Sequence, residues 1–171
     1  TQRSGDAAFD VVAGHGGIRD VEFVIQFLQL LNGADLPEVR SSNTLEAMES
    51  LTQAGFLNHQ EQTILSKNYR FLKNIEHRLQ LSYGTQTQCL PRSSIERGNF
   101  IAQHAPHFLN FDNQESSRED SFEASYEKCT AENRGVLNHL LHDAFVDDRP
   151  PDSEVDLVFD PNPDQNRIEQ I

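Results

Sequence analysis

Apolar residues recur every three or four positions along most of the chain, and this spacing predicts helices. Ile18, Val21, Ile25, Leu28 and Leu31 form one such series, which Phe23, Val24, Phe27 and Leu30 widen. A helix over about 18–32 that is apolar nearly all round belongs at the centre of a fold. Asp20 and Glu22 fall in its first turn, where the helix dipole favours anions. Gly33 follows as a left-handed stop. Asn43, with Glu46 three residues on, has the form of a capping box. Leu45, Met48 and Leu51 line the second helix, over about 43–54, and Gly55 ends it. Asn58 and Glu61 repeat that box and open a long third helix to about Tyr83, its seam marked by Leu65, Tyr69, Leu72, Ile75 and Leu79. Ser93 and Glu96 open a short helix carrying Ile95, Phe100 and Ile101, and Pro106 stops it. Ser116 or Ser117 caps the last helix, which runs to about Phe145. Its seam is Phe122, Tyr126, Cys129, Asn133, Val136, Leu140 and Ala144. Gly135 weakens this helix by about 1 kcal/mol relative to Ala. Asn133 on an apolar seam is a buried polar residue, and it needs a hydrogen-bond partner or it costs stability.

No stretch of alternating β-branched residues competes with these helices. Short connections between long amphipathic helices favour antiparallel neighbours. The pattern therefore predicts an all-α fold, an up-and-down antiparallel helical bundle. Residues 1–16 show no period and are expected to be coil or the edge of a preceding domain. Residues 17–146 form the bundle. Residues 147–171 read as an acidic, proline-containing linker, because the stretch from 146 on holds eight acids, two bases and four of the seven prolines. Such a segment is expected to be extended.

Charge narrows the partners. The chain carries 14 Lys and Arg against 27 Asp and Glu, a net of -13. That surface repels phosphate backbones and acidic lipid, so neither nucleic acid nor a membrane is expected as a partner. No apolar run approaches the roughly 20 residues of a membrane span. Two cysteines, Cys89 and Cys129, make no disulfide framework. With no basic-then-apolar segment at Thr1, they read as free thiols in a reducing cytoplasm.

Three stretches have candidate chemistry. Gly14, Gly16 and Gly17 precede a helix start, where backbone N–H groups can approach an anion. Arg19 adds a forked donor for phosphate. The plainer reading is a hinge between domains, with Arg19 and Asp20 in a local ion pair. Glu76, His77 and Arg78 sit beside the seam of the third helix, and His77 is a possible proton carrier or phosphoryl acceptor, though a solvated histidine is the simpler reading. Cys89 lacks a local base and is read as inert. His104 with His107, and His139 with His142 and Asp143, have ligand-compatible spacing, but nothing completes four ligands, and no metal is expected in this chain.

Beyond these readings, the stretch Gly14-His15-Gly16-Gly17-Ile18-Arg19-Asp20-Val21-Glu22-Phe23, then Gln26 and Leu28-Gln29-Leu30, resembles the G-x-G-G-I-R-[DE]-I-E-F signature of glutamine synthetase adenylyltransferases. Uridylyltransferases of the nitrogen signal protein carry a related G-G-L-R-D variant. Asn43-Thr44-Leu45-Glu46-Ala47, Tyr69-Arg70-Phe71-Leu72, Glu76-His77-Arg78-Leu79-Gln80 and Gln86-Thr87 with Leu90-Pro91 follow in the family's order. The tail from Phe159 to Asp164, then Arg167-Ile168, resembles the start of the family's inter-domain region. In all, the likeness spans roughly residues 10–170.

The resemblance implies a helical bundle that follows a nucleotidyltransferase domain. That domain carries a G-S-x-x-D-x-D motif and a later carboxylate, which hold magnesium; neither appears in this chain. No catalytic residue is therefore assigned here. The resemblance implies Mg and ATP or ADP as cofactors of the parent enzyme. It implies as partners the nucleotidyltransferase domain of the same polypeptide, glutamine synthetase, and the nitrogen signal protein. It places Gly16, Gly17, Arg19, Asp20, Glu22, Glu76 and Arg78 at the nucleotide site or domain junction. Where the family has Lys two residues before the first glycine, this chain has Val12, which removes the phosphate contact of that lysine. The tail points to the amino-terminal, AMP-removing half. The alternatives are a stand-alone phosphotransfer bundle using His77 and a plain helical interaction module.

Overall fold

The computed structural model describes residues 9–108 and 118–146, with side chains for 9–104 and 122–142. The chain divides into two units, Thr1–Leu140 and Leu141–Ile171. The core and the candidate site lie in the first. The acidic segment 147–171 and the caps Ser116 and Ser117 fall outside the described residues.

Among the described residues, five α-helices make the fold all-α: α1 Ile18–Asn32, α2 Thr44–Gln53, α3 His59–Tyr83, α4 Ser94–Phe108 and α5 Arg118–Val146. A 3₁₀ turn, Pro37–Val39, lies between α1 and α2. Among the described residues the only β pairing is one isolated antiparallel bridge, Asp10 with Cys89.

The caps explain where these helices begin. Asn58 accepts from the Glu61 amide at 2.8 Å, and Glu61 accepts from the Asn58 amide at 3.0 Å. This is the full reciprocal box expected of that pair. The box at α2 is only half formed. Asn43 accepts from the amides of Leu45 and Glu46, but Glu46 takes the Ser41 hydroxyl at 2.9 Å instead of the Asn43 amide. Ser41 in turn accepts that amide at 3.1 Å, so a hydroxyl relays the bond. Gly33 is not left-handed: its φ is -69°, ordinary right-handed backbone. Glycine is needed there for approach, since a Cβ would lie 2.5 Å from the Gln29 carbonyl oxygen. Arg40 donates to the carbonyls of Gly33 and Ala34 and so satisfies the end of α1 from outside. Nor does Pro106 end α4, which runs on to Phe108.

Packing pairs α3 with its neighbours. Thr44 meets Tyr69 and Met48 meets Ser66, so α2 and α3 run antiparallel. Glu61 meets His139 while Asn68 meets Cys129 and Asn133, so α3 and α5 are antiparallel as well. The main core joins Ile18 of α1, Phe71, Leu72, Ile75 and Leu79 of α3, Phe100 and Ile101 of α4, and Phe122, Tyr126 and Cys129 of α5. Each aliphatic side chain buried this way contributes roughly 1.5–3 kcal/mol. Val11 and Val12 also enter this core. They are held by Val11 N–H donating to Gln88 O and Leu90 N–H to Phe9 O, at 3.0 and 2.9 Å. Residues with no sequence period thus supply core through bonds to a distant loop.

Two seams differ from their spacing. On α5, Leu137 rather than Val136 is buried. On α1, the inner face Ile18, Val21, Val24, Ile25 and Leu28 is buried, but Phe23, Leu30 and Leu31 are 59, 82 and 52 % exposed. The helix is therefore covered on one side, not all round.

Gly135 has no atom within 4 Å of where a Cβ would stand, and it lies inside α5. Gly135→Ala should stabilise the fold by about 0.5–1 kcal/mol, by reducing the freedom of the unfolded chain without a clash. Urea unfolding checks this; a loss of stability would show that a methyl group at this position meets a neighbour.

Candidate functional site

The glycine loop is built from the inside. Gly16 has φ +76°, and its Cβ position lies 2.2 Å from the Thr130 carbonyl oxygen of α5. A Cβ at Gly17 would lie 2.7 and 2.8 Å from the carbonyl oxygens of Gly14 and Val11. Four of the amides that would face an anion, those of Gly16, Gly17, Ile18 and Arg19, are donated within the chain. Gly16 N–H reaches Asp20 Oδ2 at 2.7 Å, and Gly17 N–H reaches Gly14 O at 2.8 Å. Ile18 N–H reaches Val11 O at 3.1 Å, and Arg19 N–H reaches Val12 O at 3.0 Å. These donors are the groups a helix start normally leaves orphaned. Here the preceding loop folds back and takes them, so the glycines serve close packing of the loop against α5.

That packing is locked by a buried polar chain. Asn133, fully buried on α5, donates from Nδ2 to Gly16 O at 2.8 Å and accepts at Oδ1 from Asn68 Nδ2 at 3.0 Å. Asn68 also reaches Cys129 O and Glu132. The partner required of Asn133 is therefore the backbone of the glycine motif itself. Burial, aided by the charge of Glu132, pushes the Cys129 thiol up to about 12, which keeps it neutral and unreactive. Neither cysteine is in a disulfide.

Outside this lock lies a polar surface cluster. Glu22 of α1 accepts from the Tyr69 hydroxyl at 2.8 Å and faces Lys73 Nζ at 3.6 Å. Lys73 also pairs with Glu76 at 3.2 Å, and Gln80 donates to Glu76 at 3.3 Å. Thr44, at the start of α2, lies 3.4 Å from the Tyr69 hydroxyl. Burial opposes the charge on Lys73, but the bond to Glu76 and the neighbouring Tyr69 and Glu22 outweigh it and raise its pKa. Burial also raises the Tyr69 pKa; the Thr44 bond lowers it, and the bond to Glu22 and its charge add to the rise. The cluster holds one ammonium between two carboxylates, a fixed charge pattern rather than a proton relay.

The structure brings Glu22 and Glu76 together through Lys73. Arg19 stands exposed one turn before Glu22 on α1. Asp20 is turned back to cap Gly16. Arg78 bonds Asn74, one turn back on α3, at 3.5 Å, outside the cluster. His77 is exposed on the same helix. The sequence reading missed Thr44, Tyr69 and Lys73 as members. Lys73 stands four residues after Tyr69 and three before Glu76, the spacing of helical neighbours, and that was the available signal.

A second concavity, about 590 Å³, lies between the 9–15 loop, Arg97 and α5. Of the two arginines that line it, Arg97 is engaged: it pairs with Glu123, donates to Pro91 O at 2.8 Å, and lies 5.0 Å over the Phe9 ring. Among the described residues no group of three or more His, Cys, Asp or Glu is placed to hold a metal ion. His104 is buried and bonds Ser82. No helix among the described residues is long and apolar enough to cross a membrane.

A family model described as GlnD PII-uridylyltransferase matches residues 2–141. The chain belongs to this family. Its relatives include proteins named bifunctional glutamine synthetase adenylyltransferase/adenylyl-removing enzyme, in line with the resemblance carried by the motifs. The one from Bordetella pertussis (strain Tohama I) is 30% identical over 140 residues, 82% of this chain and 13% of its own length. The one from Caulobacter vibrioides is 40% identical over 93 residues, 54% of this chain and 9% of its own. The one from Xanthomonas axonopodis pv. citri is 39% identical over 92 residues, 54% of this chain and 10% of its own. The chain thus spans 9–13% of the length of these relatives. The matched region contains the whole glycine loop, the polar cluster and the Asn68–Asn133 lock.

Proposed function

We propose that this chain is the helical domain of a longer enzyme that adenylylates or deadenylylates glutamine synthetase in the control of nitrogen assimilation. One observation carries the reading. Family-motif residues from two helices, Glu22, Tyr69 and Glu76, converge through Lys73 on one partly exposed polar cluster, with Arg19 exposed beside it. A rigid two-helix base holding charged groups outward is suited to positioning another domain. On this reading Arg19, Glu22 and Glu76 face the nucleotidyltransferase domain of the same polypeptide at its nucleotide site. Gly16, Gly17 and Asp20 support Arg19 by anchoring the first turn of α1, and Arg78 is peripheral. Residues 17–146 are the bundle, 1–16 lead in from the catalytic domain, and 147–171 lead out as a linker.

Magnesium-assisted nucleotidyl transfer needs clustered carboxylates. On this reading Mg and ATP or ADP are held by the nucleotidyltransferase domain, and no step is assigned to this one. Glutamine synthetase is the substrate protein and the nitrogen signal protein a further partner, all in the cytoplasm. The lead-out segment favours the amino-terminal, AMP-removing half.

Arg19→Ala in the longer enzyme tests this. Arg19 is exposed and pairs with no other described residue, so thermal stability should stay within about 1 kcal/mol, as for most surface changes. Adenylyl turnover should fall at least about tenfold, equivalent to roughly 1.4 kcal/mol. Full activity, or unfolding, would make Arg19 a structural residue and remove the junction assignment.

A further inference from the structure

The outer face of α1 carries a second seam. Arg19, Phe23, Gln26 and Leu30 are spaced by four, three and four residues, and all four are exposed. Phe27 stacks on Phe23, ring centroids 6.4 Å apart and 14° from parallel. Leu30 is 82 % exposed and Leu31 52 %. This spacing is that of the contact stripe of a helix packed against another helix. The stripe runs about 17 Å, at 1.5 Å per residue. At its carboxyl end it opens into a shallow groove of about 580 Å³, walled by Gln29, Gly33 and Arg40. The groove is preformed by the chain's own bonds. Gln29 Nε2 donates to Val39 O and Ser41 O at 2.6 and 2.8 Å, and Arg40 donates to Gly33 O. Exposed Phe23 and Leu30 on one helical stripe, bordered by Arg19 and Gln26 and ending in a preformed groove, make a docking feature, not scattered surface apolarity.

We infer that this stripe and groove are the seat of an amphipathic helix from an adjoining domain of the same longer polypeptide, which lays apolar side chains on Phe23 and Leu30 and an acidic one near Arg19. Three observations select that occupant. The chain spans 9–13% of its relatives' length, so the greater part of such a polypeptide lies beside this domain. A tethered partner binds at high effective concentration and needs no new affinity from a large area. A second copy fits poorly: a stable pair needs about 800 Å² per partner, while a stripe one helix wide supplies far less, and two chains of net charge -13 repel each other. Inter-domain contacts within one chain begin near 600 Å² in total, a smaller demand than that of a stable pair. The inference rests on the proposed place of this chain in a longer enzyme, and extends the junction from Arg19 along the whole of α1.

Carbene footprinting read by mass spectrometry tests it on two preparations, the 171-residue chain and the polypeptide encoded by its full reading frame. Labelling of Phe23 and Leu30 should be at least about fivefold lower in the longer polypeptide, and the 171-residue chain should sediment as a monomer with both residues labelled. The double variant Phe23→Ser, Leu30→Ser should leave the helical circular dichroism and melting of the 171-residue chain unchanged. In the longer polypeptide it should raise the labelling of one apolar helix elsewhere. Equal labelling in the two preparations overturns the inference. So does protection in the short chain with dimer formation, which makes a second copy the occupant, and so does protection that appears only on adding glutamine synthetase. Adenylyl turnover of the longer polypeptide reports separately: its absence removes the proposed function, while the footprint still decides whether α1 is covered.

Discussion

Replacing Gly16 by alanine is expected to destabilise the fold by about 3 kcal/mol or more. Two costs add. At φ +76° an L side chain carries the left-handed penalty, about 1–2 kcal/mol. The new Cβ would also stand 2.2 Å from the Thr130 carbonyl oxygen, which is helix backbone and cannot swing aside. Forced overpacking of this kind costs typically about 1–3 kcal/mol. The loop and α5 must separate, and that stretches the bond from Asn133 to Gly16 O. The melting temperature should fall by about 10 °C, at roughly 2–4 °C per kcal/mol for a domain of this size. Gly55 has a positive φ too, yet nothing lies within 4 Å of its Cβ position. Gly55→Ala should therefore lose clearly less, and the difference isolates the steric part. Equal losses at the two positions would show that α5 does not press on the glycine loop.

Asn133→Ala should cost about 2–3 kcal/mol. The substitution strips the buried Gly16 carbonyl of one donor and leaves Asn68 without one acceptor. An unsatisfied buried group costs about 1–3 kcal/mol. Asn68 keeps Cys129 O and Glu132, so its share of the loss is small. Asn133→Asp is the sharper test, because a carboxylate keeps the acceptor for Asn68 but cannot donate to Gly16 O. It should lose at least as much as the alanine variant at neutral pH. A double-mutant cycle of Asn133→Ala with Asn68→Ala, followed by urea unfolding, should show coupling above about 0.5 kcal/mol. Additive losses would mean that the two amides hold their neighbours independently.

Both variants act on the same joint, and the joint explains why the family motif has its form. Its glycines are spent on letting a loop reach a helix backbone. Its Asp20 caps that loop, while Arg19 and the apolar outer positions of α1 stand in solvent and Glu22 is held by Tyr69 and Lys73. A phosphate-cradling reading of the glycines loses its donors to Val11, Val12, Gly14 and Asp20. The charged and apolar surface next to them is what remains for function.

Much of this was written locally. The boundaries of α1 and α3, the reciprocal box at Asn58 and Glu61, the seam Leu65, Leu72, Ile75 and Leu79, and the burial of Asn133 follow from spacing and capping chemistry. These depend on neighbours within a turn or two, and the sequence states those neighbours directly. What it did not state required residues far apart to meet. Val11 and Val12 become core only because Gln88 O and Phe9 O pair two coils. Asn133 finds its partner 117 positions away, at Gly16. Lys73 joins Glu22 to Glu76 only because α1 lies on α3. α1 itself shows the division most clearly. Its amino acids are apolar on nearly every side, which periodicity reads as a central helix. Only the packing of α2, α3 and the 9–17 loop determines which side is covered and leaves Phe23 and Leu30 in solvent, since a helix surface is buried by what the rest of the chain brings to it.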